Sequence, residues 1–347
     1  MPDTGPPISL VQRRLAHPGS WTWSARYLAA FSVTVVAAVA AFYLGLLGLA
    51  VVDRLPAPPV SGTWCIDEKL AWMRAHRPQL KAGVVAVGSS ASWRNLDFGA
   101  VPEEARASAG GTVNAAPCYL RMNQIRFLAN FLLDLGPGIR TMLMVATLRD
   151  FEECTSVPAA IFDPALTRAY LDGAASWWIY FRNFRPIPFL RFVKNKKRLA
   201  MELVVDEFGS APLTKPVPET GEPWTPEAEC YRQLRGMADD LAHRGVRLVV
   251  ITFPTMAGWA ALYDRNRAVT AAFRRHLRSA LAGTGAILID AAAEWKPPDA
   301  DFADPVHLQW PAVAAFTRHV WDAAARAGAF GEPSRAAILE QARPEQR

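Results

Sequence analysis

Residues 83–93 read GVVAVGSSASW. The five small or β-branched apolar residues from Gly83 to Val87 are too few for a helix and run straight into a Gly-Ser-Ser turn, the pattern of a buried strand. Four more runs of this kind follow: TVNA at 112–115, TMLMVA at 141–146, VRLVVITF at 246–253 and AILI at 286–289. Helical patterns separate most of them. Residues 121–135 (RMNQIRFLANFLLDL) carry apolar side chains at helical spacing and stop at Gly136, Pro137, Gly138. Residues 226–243 behave likewise, with Thr225 as the expected N-cap and Gly245 just past the end, and a last helix opens near Pro311 and runs to about Ala327. Continuous rather than alternating hydrophobicity means strands covered on both faces, so the expected class is α/β: a three-layer α/β/α sandwich on a five-stranded parallel sheet.

Outward from this domain, the N-terminal side is dominated by one apolar stretch. Tyr27 to Val52 holds no charged residue and is mostly Ala, Val and Leu. That length crosses a bilayer at 1.5 Å per residue. A cleaved signal peptide is the rival reading, but its apolar region is shorter and ends in a small-residue cleavage site, so an uncleaved anchor is expected. Arg13, Arg14 and Arg26 precede the stretch, which places the N-terminus in the cytoplasm and everything after about residue 53 outside the inner (cytoplasmic) membrane, in a periplasmic or extracytoplasmic position. The expected organisation is a cytoplasmic segment (1–26), a transmembrane helix (27–52), a stalk and lead-in (53–79) in which Pro56, Ala57, Pro58 and Pro59 hold the domain off the membrane, the domain itself (80–330) and a loosely held tail (331–347).

An insertion at about 155–222 departs from the strand–helix alternation. There Trp177, Trp178, Tyr180 and Phe181 precede a run of Arg and Lys from Arg182 to Arg198. Such a segment suits a membrane interface, a partner, an anionic polymer, or simply a helical cap with aromatics inward and charges outward. The net charge of +6 is mild for 347 residues, and no zinc-finger spacing, Walker loop, Rossmann glycine motif or fixed-period repeat is present, so no nucleic-acid partner and no cofactor are expected.

Cys65, Cys118, Cys154 and Cys230 all fall in the exported part, where disulfides are permitted. Cys118 and Cys154 each follow a strand, so a bridge between those two loops is expected, leaving Cys65 with Cys230; free buried thiols are the alternative. With no CxxC pair or Cys/His cluster, no metal is expected.

Two places carry chemistry. Gly88, Ser89, Ser90 follow the first strand, where a serine entering a helix gains from exposed backbone N–H groups that stabilise an oxyanion. Alone, such a turn also serves merely to reverse the chain. Asp304, Pro305, Val306, His307 stand after the last of the five strands and before the final helix; a carboxylate three residues ahead of a histidine can hold its Nδ1 and stabilise the imidazolium formed when Nε2 takes a proton. The bland reading is a helix cap beside an exposed histidine. His76, His243, His276 and His319 sit at or within helical patterns and are given no role, while Trp93 is either a pocket wall or an apolar anchor.

Taken together, the serine turn after the first strand and the DxxH before the last helix resemble the SGNH (GDSL-like) hydrolase superfamily over residues 80–327. The resemblance implies a flavodoxin-like sheet, Ser90 rather than Ser89 as nucleophile, His307 as general base and then acid, and Asp304 as its orienter. Two blocks depart from the family pattern. Where a glycine N–H usually joins the oxyanion hole the chain has Ala116, and where GxND is usual it reads Thr147, Leu148, Arg149, Asp150, so Arg149 falls at the asparagine. Arg149 either donates to an oxyanion or an anionic group, or pairs with a neighbouring acid, and Asp150 is expected to shape the loop. An anchored, exported domain of this kind is similar to envelope O-acyltransferases that pass an acyl group, usually acetyl, to a polysaccharide acceptor beside a multi-pass membrane-bound O-acyltransferase or synthase complex. An extracytoplasmic carbohydrate esterase and a non-catalytic subunit of a polysaccharide synthesis or modification complex are the alternatives.

Overall fold

The computed structural model describes residues 20–174, 177–203, 205–211, 213–215, 221–310 and 312–331. The tail expected at 331–347 and most of the N-terminal segment expected at 1–26 therefore lie outside the described residues. The chain forms two units, 1–55 and 56–347.

The first unit is helix α1, Ser20–Val51. Its stretch Ser24–Val51 is long and apolar enough to cross a membrane. A core helix would bury its apolar side chains. Here Tyr27, Val36 and Leu44 are each about two-thirds exposed or more (70%, 68% and 66%).

The second unit begins with α2 (Trp64–Ala75) and continues β1 (Val84–Ala86), α3 (Ser90–Asn95), α4 (Glu103–Ser108), β2 (Thr112–Asn114), α5 (Met122–Leu135) and β3 (Thr141–Ala146). The segment expected as an insertion holds α6 (Pro164–Leu171), α7 (Trp177–Arg182) and α8 (Pro186–Glu202). After it come α9 (Ala228–His243), β4 (Arg247–Thr252), α10 (Ala257–Tyr263), α11 (Ala268–Leu281), β5 (Ile287–Ile289), α12 (Ala291–Glu294), the short strands β6 (Phe302–Asp304) and β7 (His307–Leu308), and α13 (Ala312–Arg326). All five expected strands form, as one parallel sheet in the order β2-β1-β3-β4-β5.

The pleat shows why these strands read as continuously apolar. Val85, Val113, Met142, Met144, Leu248 and Val250 belong to one buried cluster, with side chains of α5, α9 and α11. Their alternates Val84, Ala86, Leu143, Val145, Val249 and Ile251 belong to a second, with α13. Successive residues thus enter opposite cores, and helices cover both faces of the sheet. The order reverses direction at β1, which places a switch point between β1 and β3; in doubly wound sheets the crevice beyond the carboxyl ends of the strands at that point is where ligands bind.

Three local expectations are corrected. The cap of α9 is Glu227, not Thr225: Thr225 N–H donates to Glu152 Oε1 at 2.5 Å, so the chain is still following the β3 loop when it passes Thr225. The Pro56–Pro59 segment is not a free stalk. Pro56 O accepts from Tyr180 Oη, Ala57 N–H donates to Glu68 Oε1, Pro59 O accepts from Asn183 Nδ2, and Val60 is buried. The disulfides are Cys65–Cys118 and Cys154–Cys230, with Cα atoms 6.1 and 5.4 Å apart. The bridge expected between Cys118 and Cys154 ignored the sheet order: β1 lies between β2 and β3, separating their loops by two strand spacings, roughly 9–10 Å, beyond the usual Cα separation of a disulfide. Peptide mapping without reduction is expected to recover these two pairs alone. Replacing Cys154 and Cys230 by Ser removes a link between residues 76 apart, and by chain entropy should cost about 2–5 kcal/mol in chemical unfolding of the oxidised protein.

Asp67, at the start of α2, holds the entry to the domain by accepting from Ser61 N–H at 2.6 Å and Ser61 Oγ at 2.8 Å. Burial raises its carboxyl from 3.8 to about 7 against these hydrogen bonds. Because the folded-state value lies above the unfolded one, the folded state favours the protonated group. The stability contributed by this one group is therefore fully present below about pH 4, is lost as pH rises through the window to about 7, and is absent above it. Asp67→Asn keeps the acceptor and removes the charge. Urea unfolding is expected to show the variant more stable than wild type at pH 8, by up to about 4 kcal/mol, with the difference vanishing near pH 4.

Candidate functional site

Ser90, Ala116 and Arg149 each follow the carboxyl end of a strand, respectively β1, β2 and β3, which are neighbours in the sheet. The turn that delivers Ser90 depends on Gly88. Its φ is +145°, and a Cβ there would meet Ser92 Oγ at 2.1 Å. No other residue fits.

The serines of this turn are distinguished by their partners. Ser92 is buried, and its Oγ accepts from Val145 N–H at 2.9 Å, tying α3 to β3. Ser89 is buried, donates to Asp150 Oδ1 at 2.5 Å, and accepts from Ala91 N–H as the cap of α3. Ser90, the first residue of α3, is half-buried. Its hydroxyl takes part in no hydrogen bond among the described residues.

Asp150 organises the loop after β3. Its Oδ2 accepts from Thr147 N–H and Thr147 Oγ1, both at 2.9 Å, while Oδ1 holds Ser89. Burial raises its carboxyl above the ordinary range, and the bonds from Ser89 and Thr147 work the other way. The β1 and β3 loops are thus joined across the switch point through one carboxylate.

Asp304 and His307 stand on the hairpin β6–β7, with Asp304 paired opposite His307. Asp304 Oδ2 lies 2.7 Å from His307 Nδ1, and Asp304 Oδ1 accepts from Val306 N–H at 2.8 Å. Burial pushes the Asp304 carboxyl up, but the hydrogen bond and charge of His307, with the N–H groups of Val306 and His307, outweigh it and hold the carboxyl below the usual range. An ionised carboxylate only accepts, so Nδ1 is the ring nitrogen that donates to Asp304. His307 Nε2 is buried and has no hydrogen-bond partner among the described residues.

Sequence reading did not single out Asn95, which joins the two halves. At the far end of α3 from Ser90, and fully buried, it donates from Nδ2 to Val306 O at 2.9 Å and accepts on Oδ1 from Leu308 N–H at 2.8 Å. One amide therefore grips the backbone on both sides of His307. Ser90 and Asn95 are separated by about 7.5 Å of helix rise, so the helix that starts with Ser90 is the one that fixes the histidine strand. No signal short of the structure marks this asparagine, since a polar residue near a helix end is ordinary.

Ala116 and Arg149 are placed differently. Ala116 N–H donates to Asn114 Oδ1 at 3.1 Å, and Asn114 Nδ2 in turn donates to Ser92 O. That N–H is committed inside the protein. Arg149 is half-buried, its guanidinium 5.9 Å from the ring centre of Tyr119, and no carboxylate among the described residues lies in ion-pair range of it. Trp93 is 1% exposed and donates from Nε1 to Gly209 O, so it is an anchor for α3 and not a pocket wall.

No family model matches this chain, and no curated protein matches it significantly in sequence.

Proposed function

We propose that this chain is an SGNH-type serine acyltransferase of the bacterial envelope, anchored in the inner membrane by α1 with its N-terminus in the cytoplasm and its domain outside. The observation that carries the catalytic reading is the buried Asp304–His307 pair, whose Nε2 has no partner among the described residues, on a strand clamped to the helix that begins with Ser90. Buried polar atoms nearly always find a partner, and a missing one calls for a reason. Thr112 Oγ1, Tyr231 Oη and His319 Nε2 also lack a hydrogen-bond partner among the described residues, but His307 is the one held by a buried carboxylate beside the helix that begins with Ser90. Although its Nε2 and Ser90 Oγ are not hydrogen-bonded to each other here, we assign it the role of base.

In the first half-reaction His307 Nε2 accepts the Ser90 proton as Oγ attacks the acyl carbonyl, and the imidazolium, stabilised by Asp304, returns that proton to the leaving group. In the second, Nε2 takes the proton of a sugar hydroxyl, whose oxygen attacks the acyl carbon. As the bond between Ser90 Oγ and the acyl carbon breaks, the imidazolium returns that proton to Oγ, the glycan ester leaves and Ser90 is restored. The backbone N–H of Ser90 and the Arg149 side chain are the proposed oxyanion or acyl-group donors, Arg149 being supported by its having no carboxylate in ion-pair range among the described residues. The acyl group is supplied by a multi-pass membrane-bound O-acyltransferase, and the acceptor is a cell-surface polysaccharide.

A second reading, a polysaccharide-binding subunit without catalysis, is favoured by one observation: Ala116 N–H is turned inward to Asn114. Envelope glycan acyl content in cells expressing Ser90→Ala separates the two. Loss of acylation with normal amounts of the protein supports catalysis, and unchanged acylation favours the binding subunit.

A further inference from the structure

We infer that α7 and α8 form a membrane-surface element that lays the domain on a bilayer containing anionic phospholipid; the inference rests on reading α1 as a membrane anchor. The exposed residues of these two helices are largely of two kinds. Trp178, Ile187 and Leu190 are 58%, 73% and 64% exposed, and Trp177 and Phe181 are exposed beside them. Further along α8, Arg191, Lys194, Lys197 and Arg198 are exposed at helical spacing from Ile187 and Leu190, so the apolar and basic residues share one face. Between Gly173 and Met201 the chain has seven Arg or Lys and no Asp or Glu. Tryptophan with aliphatic side chains next to lysine and arginine is the composition that partitions into headgroups, and the charge selects anionic lipid.

The occupant is argued from the tether as well as from charge. Tyr180 Oη donates to Pro56 O and Asn183 Nδ2 to Pro59 O, so α7 is fastened to the residues at which the domain begins. Pro56 follows the end of α1, Val51, by five residues, which reach at most about 18 Å when fully extended. A domain held this close to a bilayer by its first residues has α7 at the tethered end. A soluble partner or a polysaccharide has no such constraint in its favour.

The test uses the full chain reconstituted into vesicles of phosphatidylcholine and phosphatidylglycerol whose acyl chains are brominated, and reads tryptophan quenching as the difference between wild type and Trp177→Phe/Trp178→Phe. The difference emission is expected to be blue-shifted and quenched by the brominated chains. Quenching should weaken about twofold or more in phosphatidylcholine alone and in Lys194→Glu/Lys197→Glu/Arg198→Glu, which keeps both tryptophans. Emission that brominated lipid leaves untouched, whether open to acrylamide or shielded from it by protein or added polysaccharide, overturns the proposal. So does quenching that neither lipid charge nor the triple variant alters. Alkaline carbonate extraction of the same vesicles reports on α1 separately. Resistance to extraction without quenching leaves the anchor standing and removes the surface element, whereas quenching in a chain that carbonate extracts does the reverse.

Discussion

On the proposed mechanism, Ser90→Ala is expected to abolish covalent labelling of the protein by a fluorophosphonate and to lower acyl transfer by about 10⁴-fold or more, while Ser89→Ala, one residue earlier, should still label. The contrast follows from what each hydroxyl already does. Ser89 Oγ is committed to the buried Asp150 carboxylate and to Ala91 N–H, and Ser92 Oγ to the backbone of Val145. Removing the Ser89 hydroxyl leaves a buried acceptor short of one donor and the short helix α3 without its cap, a loss of about 1–3 kcal/mol in stability. Ser90, half-buried at the opening of α3, has no hydrogen bond to its hydroxyl among the described residues. Intact-mass measurement after labelling checks both variants, and chemical unfolding checks the second. Equal labelling of wild type and Ser90→Ala, or none in either, would sink the assignment. His307→Ala should label as poorly as Ser90→Ala, because without Nε2 the serine keeps its proton.

The parts of the molecule that could be read from the chain are those in which neighbouring residues act together. Each strand of the sheet announces itself because both of its faces are buried, so Met142, Leu143, Met144 and Val145 are all apolar although they enter two different cores. The order of the strands leaves no such mark. It depends on contacts between distant segments, and the mistaken bridge from Cys118 to Cys154 is a direct consequence of not knowing that β1 stands between their strands. Asp304 and His307 are visible as a spacing of three, yet the two-strand hairpin that faces them toward each other is too short to carry a periodic signal. The Pro56–Pro59 segment has the composition of a stalk, and its hydrogen bonds to Tyr180, Glu68 and Asn183 come from residues that composition does not connect to it. The serine turn is of the same kind: the resemblance favours Ser90 over Ser89, but the partners of the two hydroxyls leave no mark in the sequence, Ser89 Oγ being held by Asp150 and Ala91 N–H while Ser90 Oγ has no hydrogen bond among the described residues.

Asn95 is where stability and chemistry should part company in an experiment. Its amide satisfies Val306 O and Leu308 N–H at once, and both groups are buried. Asn95→Ala leaves the two backbone groups unpaired, at a cost of about 2–5 kcal/mol in unfolding free energy. If that were all, the fraction of protein that labels at Ser90 would fall and each labelled site would react at the wild-type rate. The two bonds flank His307, so on the proposed mechanism Asn95 is a positioning residue, and an imidazole displaced by even an ångström would lose rate at every folded site. The rate per titrated serine is expected to drop about 10–100-fold. Thr317 provides the control. It is buried on α13, accepts from Asp97 N–H at 2.8 Å, donates to Val313 O at 2.9 Å and makes no bond to the hairpin, so Thr317→Val loses two buried hydrogen bonds without touching the histidine strand. That variant should lose stability of the same order per bond and keep the wild-type rate per site. A per-site rate unchanged in Asn95→Ala, or lowered equally in Thr317→Val, would reduce Asn95 to a packing role and remove the link between α3 and the orientation of His307.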